Sequence, residues 1–467
     1  MRNIALHEYG ELRRGTESSR NAREDCYRRF VSDTHFRRLR RFDDRRAASD
    51  SMRIFEWHRN YAVAQQWVGV VQVPGLSVEI LPKVAPDNLA GNTEGQHFSR
   101  KNLVYMLTVA GKVPLRQRDL AKQTAANAPL HETLIAIFAD QLHFELNRGR
   151  PRSYIRQREN LSTLKGKLQF SQQLTDNLAR KDRFAVEHSR FSPDTTLSRI
   201  FKAACRHLVK QTRTRRTEDQ LGMCLMFLDG VEDVPVGSHL FDDVTINRQN
   251  ERFADLFEFC RLLFAGNAPT GRAGDRNTFS LLFDMNSIYE KFVAKFLARH
   301  VLRDELADCR IHTQSPPRLQ HLVYRAPADP GPEYAPRRDG DSTLRLLPDI
   351  VIERAQRRLV IDTKWTRLSP TKSPRCGVTR NALFQLFAYA HNYEARHNVL
   401  LYPGPNSDVP EQTFDLPRKD GASTSPSIHA MFVNLNRNLA SATQRRELAV
   451  ELRELIQRLL PVDSSSC

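Results

Sequence analysis

The stretch LRLLPDIVIERAQRRLVIDTKWTRL, residues 344–368, reads as two β-rich runs flanking a polar turn. If Gln356 and Arg357 are the central pair of that turn, Val351 opposes Asp362 and Asp349 opposes Lys364. Opposed residues share a face of the hairpin, and so do residues two apart on one strand. Asp349, Asp362 and Lys364 are therefore expected to converge on one patch. Two carboxylates and a lysine at the end of a hairpin are what metal-dependent phosphodiester hydrolysis requires. A hard cation such as Mg²⁺ (or Mn²⁺) takes oxygen ligands, keeps several waters, polarises the phosphate and lowers the pKa of a bound water. In this reading Asp349 and Asp362 hold the metal. Lys364 orients or helps deprotonate the attacking water, or stabilises negative charge developing on phosphorus, and no covalent nucleophile is needed.

P-D followed across a hairpin by D-x-K resembles the PD-(D/E)xK nuclease superfamily. Gln385 and Tyr389 in FQLFAYAHNY stand at helical i, i+4 spacing and resemble the motif that follows the hairpin in RecB-like members. The resemblance implies a catalytic role for Gln385, and it places Glu290, in FDMNSIYEKFV, on a first helix where it would be a third metal ligand. Each residue also has an ordinary structural reading. Asp349 after Pro348 suits a turn, Glu290 a solvent-facing helix position, and Gln385 with Tyr389 helix packing. Their occurrence together and in order favours the chemical one.

Further out, 467 residues exceed the usual single-domain size, so two or three domains are expected. Residues 1–150 are read as an N-terminal β-containing domain, 151–275 as a largely helical connector, and 276–467 as the nuclease domain. The fold class is α/β (α+β) multidomain, its last domain a central mixed sheet flanked by helices. In the first segment, WVGVVQVPGLSVEILPKV has the punctuation of a hairpin at Pro74-Gly75, and helical spacing covers 101–111 and 131–148. SYIRQRENLSTLKGKLQF reads as a basic segment before helical patterning over 197–230. The polar stretches 266–278 and 328–343 read as loops. FSLLFDMNSIYEKFVAKFLARH reads as one long amphipathic helix, and 442–460 as a charged one.

Composition narrows the partners. Lys+Arg 71 against Asp+Glu 54 gives a net charge of +17, the excess expected of a protein that meets polyphosphate. Residues 13–46 concentrate arginine among the aromatics Tyr27, Phe30, Phe36 and Phe42, a mix that suits phosphate contact. It equally suits a solvated helical face paired with Glu24, Asp25, Asp43 and Asp44. No stretch approaches the roughly 18 apolar residues of a membrane span, and no secretory h-region opens the chain, so no membrane partner and a cytoplasmic location are expected. The seven cysteines are scattered, which argues for reduced thiols rather than disulfides or a zinc knuckle. A phosphate-binding G-x-x-x-x-G-K-[ST] is absent, so any nucleotide-driven motor belongs to another chain.

HEYG near the N-terminus, VGVVQVPGLSVEILPKV, NLVYML, LNRGRPRSYIRQRENLSTLKGKL and FDMNSIYEKFV together resemble McrC, the nuclease subunit of McrBC modification-dependent (5-methylcytosine) restriction systems. That resemblance implies a DNA endonuclease acting on methylated double-stranded DNA. It also implies an AAA+ GTPase partner of McrB type, whose GTP hydrolysis the N-terminal domain stimulates. The arginine-rich 13–46 is longer and more basic than the family's N-terminus leads one to expect. Two rivals remain at this level: a non-cutting DNA-binding regulatory subunit of an AAA+ motor, and a stand-alone PD-(D/E)xK repair or resolving nuclease.

Overall fold

A computed structural model describes residues 2–15, 27–48, 52–84, 93–115, 128–265, 279–313, 320–324, 342–370, 375–404, 409–417 and 425–461. The stretch 266–278, most of 328–343, Glu24, Asp25 and the C-terminal 462–467 lie outside the described residues. The chain forms two compact units, one of Met1–Gly111, Arg116–Asn127 and Leu282–Cys467, the other of Lys112–Leu115 and Ala128–Leu281. Segment 151–275 thus lies within the second unit, whereas 1–111 and 282–467 both build the first.

The first unit opens with β1 (Arg2–His7), β2 (Glu11–Arg14), β3 (Arg28–Val31), helix α1 (Asp33–Ala48), β4 (Phe55–Trp57), β5 (Tyr61–Ala64), β6 (Trp67–Val73), β7 (Leu76–Leu81) and α2 (Thr93–Ala110). The expected hairpin is present: Val73 faces Leu76 across Pro74-Gly75. Gly75 takes φ +87°, where a side chain would be strained. All six residues of β7 are buried, because β6 pairs with it on one side and β1 runs parallel on the other. A second sheet has the order β3-β2-β5-β4. Helix α1 lays Phe36, Leu39 and Phe42 onto the core beside Leu12, Phe55 and Ile80, leaving Arg37, Arg40 and Arg41 exposed.

The described residues of the arginine-rich segment therefore belong to two strands and an amphipathic helix. Its acids differ from the expected pairing. Glu11 lies 2.6 Å from Arg13, Asp33 meets Arg14 and Arg37, and Asp44 lies 2.7 Å from Arg53. Asp43, expected on a solvated face, is wholly buried and accepts from Ile54 N (2.8 Å), Phe55 N (3.3 Å) and Trp57 Nε1 (2.7 Å).

The second unit contains α3 (Leu130–Asn147), β8 (Ser153–Leu161), β9 (Lys167–Leu168), α4 (Phe170–Asp176), β10 (Phe184–Ser192), α5 (Thr196–Val209), α6 (Arg215–Phe227), α7 (Ser238–Asp242) and α8 (Ala254–Ala265). Helices dominate it, but the basic segment turns out to be strand. β8 pairs with β10 from Ser153↔Ser192 to Leu161↔Phe184, and β9 pairs on the other side of β10. Cys205, Cys224 and Cys260 are buried free thiols, and burial pushes Cys205 and Cys260 up.

The chain returns through β11 (Phe279–Asp284) and continues as α9 (Met285–Phe296), β12 (Arg310–Thr313), β13 (Gln320–Tyr324), β14 (Ser342–Leu346), β15 (Ile350–Arg354), β16 (Arg357–Thr363), α10 (Arg380–Asn392), β17 (His397–Gly404), β18 (Gln412–Asp415), β19 (Ser427–Asn434) and α11 (Ala442–Leu459). FSLLFD is strand rather than the start of the helix read from sequence. Asp284 caps α9, its side chain accepting from Asn286 N, and breaks the apolar run there. The last six-stranded sheet has the order β12-β15-β16-β17-β19-β18 and is mixed: β16, β17 and β19 are parallel, the other pairings antiparallel. Val351, Val360, Leu400, Ile428 and Ala430 present one face of it to Ala382, Leu386 and Tyr389 of α10.

The central hairpin has a different register from the one read in sequence. Arg354 pairs with Arg357, so Ala355 and Gln356 form the turn, with Ala355 at φ +52°. Val351 consequently opposes Val360, not Asp362. An offset of two keeps every side chain on its face, so the convergence of acids and lysine survives the change.

Candidate active site

Asp349 stands just before β15, Asp362 near the end of β16, and Lys364 one residue past it. Even-numbered residues of β16 share the face of Val360, so Asp362 points to the side covered by α10. Asp349 Oδ2 accepts from Thr363 N (2.8 Å) and Thr363 Oγ1 (2.7 Å), which ties the first acid to the middle residue of D-x-K. Lys364 Nζ lies 2.7 Å from Asp362 Oδ2 and donates to Gln385 Oε1 at 3.2 Å.

Helix α10 closes the arrangement. Thr379 caps its N-terminus by accepting from Ala382 N, which fixes where the helix starts and brings Gln385 and Tyr389 over the hairpin. Gln385 Nε2 donates to Tyr389 Oη (2.9 Å), and Tyr389 Oη donates to the Leu347 carbonyl (3.0 Å) two residues before Asp349. A relay thus runs from the lysine through two side chains of one helix face back to the strand that carries the first acid. The structure brings together Asp349, Asp362, Lys364, Gln385 and Tyr389. Glu290 sits half-buried on α9, beside Tyr289, whose ring packs tilted against Trp365 with centroids 5.2 Å apart. Among the described residues no three or more His, Cys, Asp and Glu side chains cluster as metal ligands.

Asp362 is 1% exposed, and its Oδ1 has no hydrogen-bond partner. Burial raises its carboxyl to about 6, with the nearby Asp349 charge adding to the rise and Lys364 opposing it. An orphaned, buried carboxylate oxygen costs on the order of 1–3 kcal/mol or more. A cation would satisfy it, and a donor set of two carboxylates is the chemistry that suits a hard divalent ion. The residues present therefore fit Mg²⁺ or Mn²⁺. Burial, together with the Asp362 charge, pushes the Tyr389 and Tyr402 hydroxyls up, so both stay neutral.

The model of the family described as McrBC 5-methylcytosine restriction system component matches residues 62–403. The chain belongs to this family. The McrBC match runs from β5 to β17 and takes in all the residues assembled above. Among solved structures, the fold is similar to a chain of the refined half-complex from the tetradecameric assembly of Thermococcus gammatolerans McrB AAA+ hexamers with bound McrC. The two share 21% identity with a TM-score of 0.64, over 97% of this chain and 100% of that one. The cryo-EM structure of the Thermococcus gammatolerans McrBC complex also matches, at 24% identity and TM-score 0.49, over 65% of this chain and 89% of that one. No curated protein matches. Among the described residues no helix is long and apolar enough to cross a membrane.

Sequence reasoning missed Thr363, whose N–H and hydroxyl hold Asp349, and the Leu347 carbonyl that ends the relay. The middle position of D-x-K carries no chemical signature of its own. A carbonyl partner is not visible in sequence at all.

Proposed function

We propose that this McrBC family member is the DNA endonuclease subunit of its restriction system, with a PD-(D/E)xK centre built from Asp349, Asp362 and Lys364. The observation that carries this reading is the buried Asp362, unpartnered at Oδ1, held between a second carboxylate and a lysine. Asp349 and Asp362 would hold Mg²⁺ or Mn²⁺, with Glu290 a more distant candidate ligand. A bound ion supplies Lewis-acid polarisation of the phosphate and a more acidic water.

The chain's own residues do the rest. Lys364, braced by Asp362 and Gln385, keeps its ammonium at a fixed point where it donates to the water or to charge growing on phosphorus. Tyr389 locks the Gln385 amide, so its oxygen rather than its nitrogen faces the lysine. Thr363 holds Asp349 in the orientation that presents its other oxygen to the ion.

Methylated double-stranded DNA as substrate and an AAA+ GTPase of McrB type as partner are the reading that the family supports, and the net charge of +17 suits a polyanionic substrate. Tyr154, Phe170 and Leu178 of the second unit are exposed apolar side chains, which adds the segment read as the connector to the N-terminal domain as a candidate partner-facing region. The test is cleavage of methylated plasmid by the chain with its AAA+ partner, GTP and Mg²⁺. Asp362→Ala and Lys364→Ala are expected to leave GTP hydrolysis intact and to stop cutting. Cleavage at the wild-type rate by both variants would refute the nuclease assignment.

A further inference from the structure

Lys364 lies one residue beyond the end of β16. On its N-terminal side it is held by the strand, with Lys364 N bonded to the Leu401 carbonyl at 3.0 Å and Thr363 tied to Asp349. On its C-terminal side the anchor is Trp365, which is 2% exposed. Its indole N–H donates to the Glu8 carboxylate at 2.9 Å (Oε2) and 3.1 Å (Oε1). Its carbonyl accepts from Lys83 Nζ at 3.1 Å, and Lys83 N in turn donates to Glu8 Oε2 at 3.2 Å. Both the ring and the main chain of residue 365 are therefore fixed from the N-terminal part of the first unit, and Tyr289 packs against the ring.

The choice of groups is informative. A neutral acceptor would satisfy an indole N–H, yet the fold spends a carboxylate that is 1% exposed and a lysine that is 8% exposed on it. Burial raises the Glu8 carboxyl to about 7, with the Lys83 charge and the Trp365 N–H opposing the rise, so the group is a poor route to stability alone. It is a good route to a fixed position, since an acceptor bonded by both Trp365 Nε1 and Lys83 N tolerates little displacement. Glu8 and Lys83 come from HEYG and LPKV, two motifs that the nuclease chemistry leaves without a role.

We infer that Glu8, with Lys83, is a positioning residue for the nuclease centre: by fixing Trp365 it sets where the Lys364 ammonium stands between Asp362 and Gln385. This rests on the nuclease reading of Lys364. It makes the N-terminal β-sheet region part of the catalytic geometry, so the hairpin does not define its own lysine position.

The test uses the full chain with its AAA+ partner, GTP and Mg²⁺ on methylated plasmid, with Lys364→Ala as the control for the underlying reading. Trp365→Phe keeps the ring and removes the N–H; Glu8→Ala removes the acceptor; Glu8→Gln restores a neutral one. Trp365→Phe and Glu8→Ala are expected to lower kcat about tenfold or more, with KM for DNA and GTP hydrolysis unchanged, because small misplacements of a reacting group cost this much. Glu8→Gln should recover most of the loss. If Lys364→Ala is inactive while Trp365→Phe, folded with an unchanged Tm, cuts at the wild-type kcat, the positioning role is wrong and the nuclease reading stands. If Lys364→Ala itself cuts normally, the reading beneath it falls. Should Glu8→Ala fail to fold, Trp365→Phe and Glu8→Gln decide alone.

Discussion

Two aspartates of the first unit are almost completely buried, and they are treated in opposite ways. Asp43, at the core-facing edge of α1, has three N–H donors around its two oxygens. Asp362, in the central sheet, has a lysine at one oxygen and nothing at the other, with a second acid near enough to raise its carboxyl to about 6. Burial is the same; satisfaction is not. A carboxylate enclosed by donors stitches strand β4 to a helix, whereas one left short of partners beside another acid is poised for something the chain itself does not provide. The mark of the site is the missing partner.

The largest effect expected from breaking this contrast is in cutting. Asp362→Ala should lower plasmid cleavage by roughly a thousandfold or more, the scale of losing a group essential to charge stabilisation. Asp43→Ala should leave the rate per folded molecule unchanged. Next comes stability, where the order reverses. Asp43→Ala strands two backbone N–H groups and an indole N–H, and should cost about 3 kcal/mol in chemical denaturation.

Asp362→Asn sharpens the comparison by pH. Its folded-state carboxyl sits above the ordinary value of 3.8, so the stability contribution of the protonated acid is present below that value and is lost as pH rises through about 6. The unfolding free energy of Asp362→Asn should therefore exceed that of wild type increasingly between about pH 4 and 7 in chelator, by about 1–3 kcal/mol at the top of the range. Added Mg²⁺ should narrow the gap by stabilising wild type alone. A gap that shrinks with rising pH in chelator would mean the carboxylate is well solvated or well paired. The smallest effect is expected for Tyr389→Phe, which keeps the ring and frees the Gln385 amide to rotate: about a three- to tenfold loss in cutting with little change in Tm.

Much of the site was legible because it is local. Asp349, Asp362 and Lys364 lie within one hairpin, and a period of two puts them on one face for any two-residue turn. The register itself was misread because Ala355, a residue with no preference for positive φ, takes the turn position that Gly or Asn usually signals. FSLLFD was taken into the following helix since a short apolar run fits either period. SYIRQRENL was not read as strand because its residues are polar on both faces, and only pairing with β10 makes it one. The roles of Asp43 and Glu8 were out of reach for a different reason. Their partners are supplied by the fold, Glu8 bonding to a tryptophan 357 positions away, and no pattern in the chain announces such a contact.

The central claim is that the orphaned oxygen of Asp362 awaits a cation. Calorimetric titration of the full chain with Mn²⁺ at pH 7.5, wild type against Asp362→Asn, tests it without any need for DNA or partner. The account predicts a saturable site in wild type that disappears in Asp362→Asn. Equal binding by the two proteins would place the ion elsewhere and contradict it.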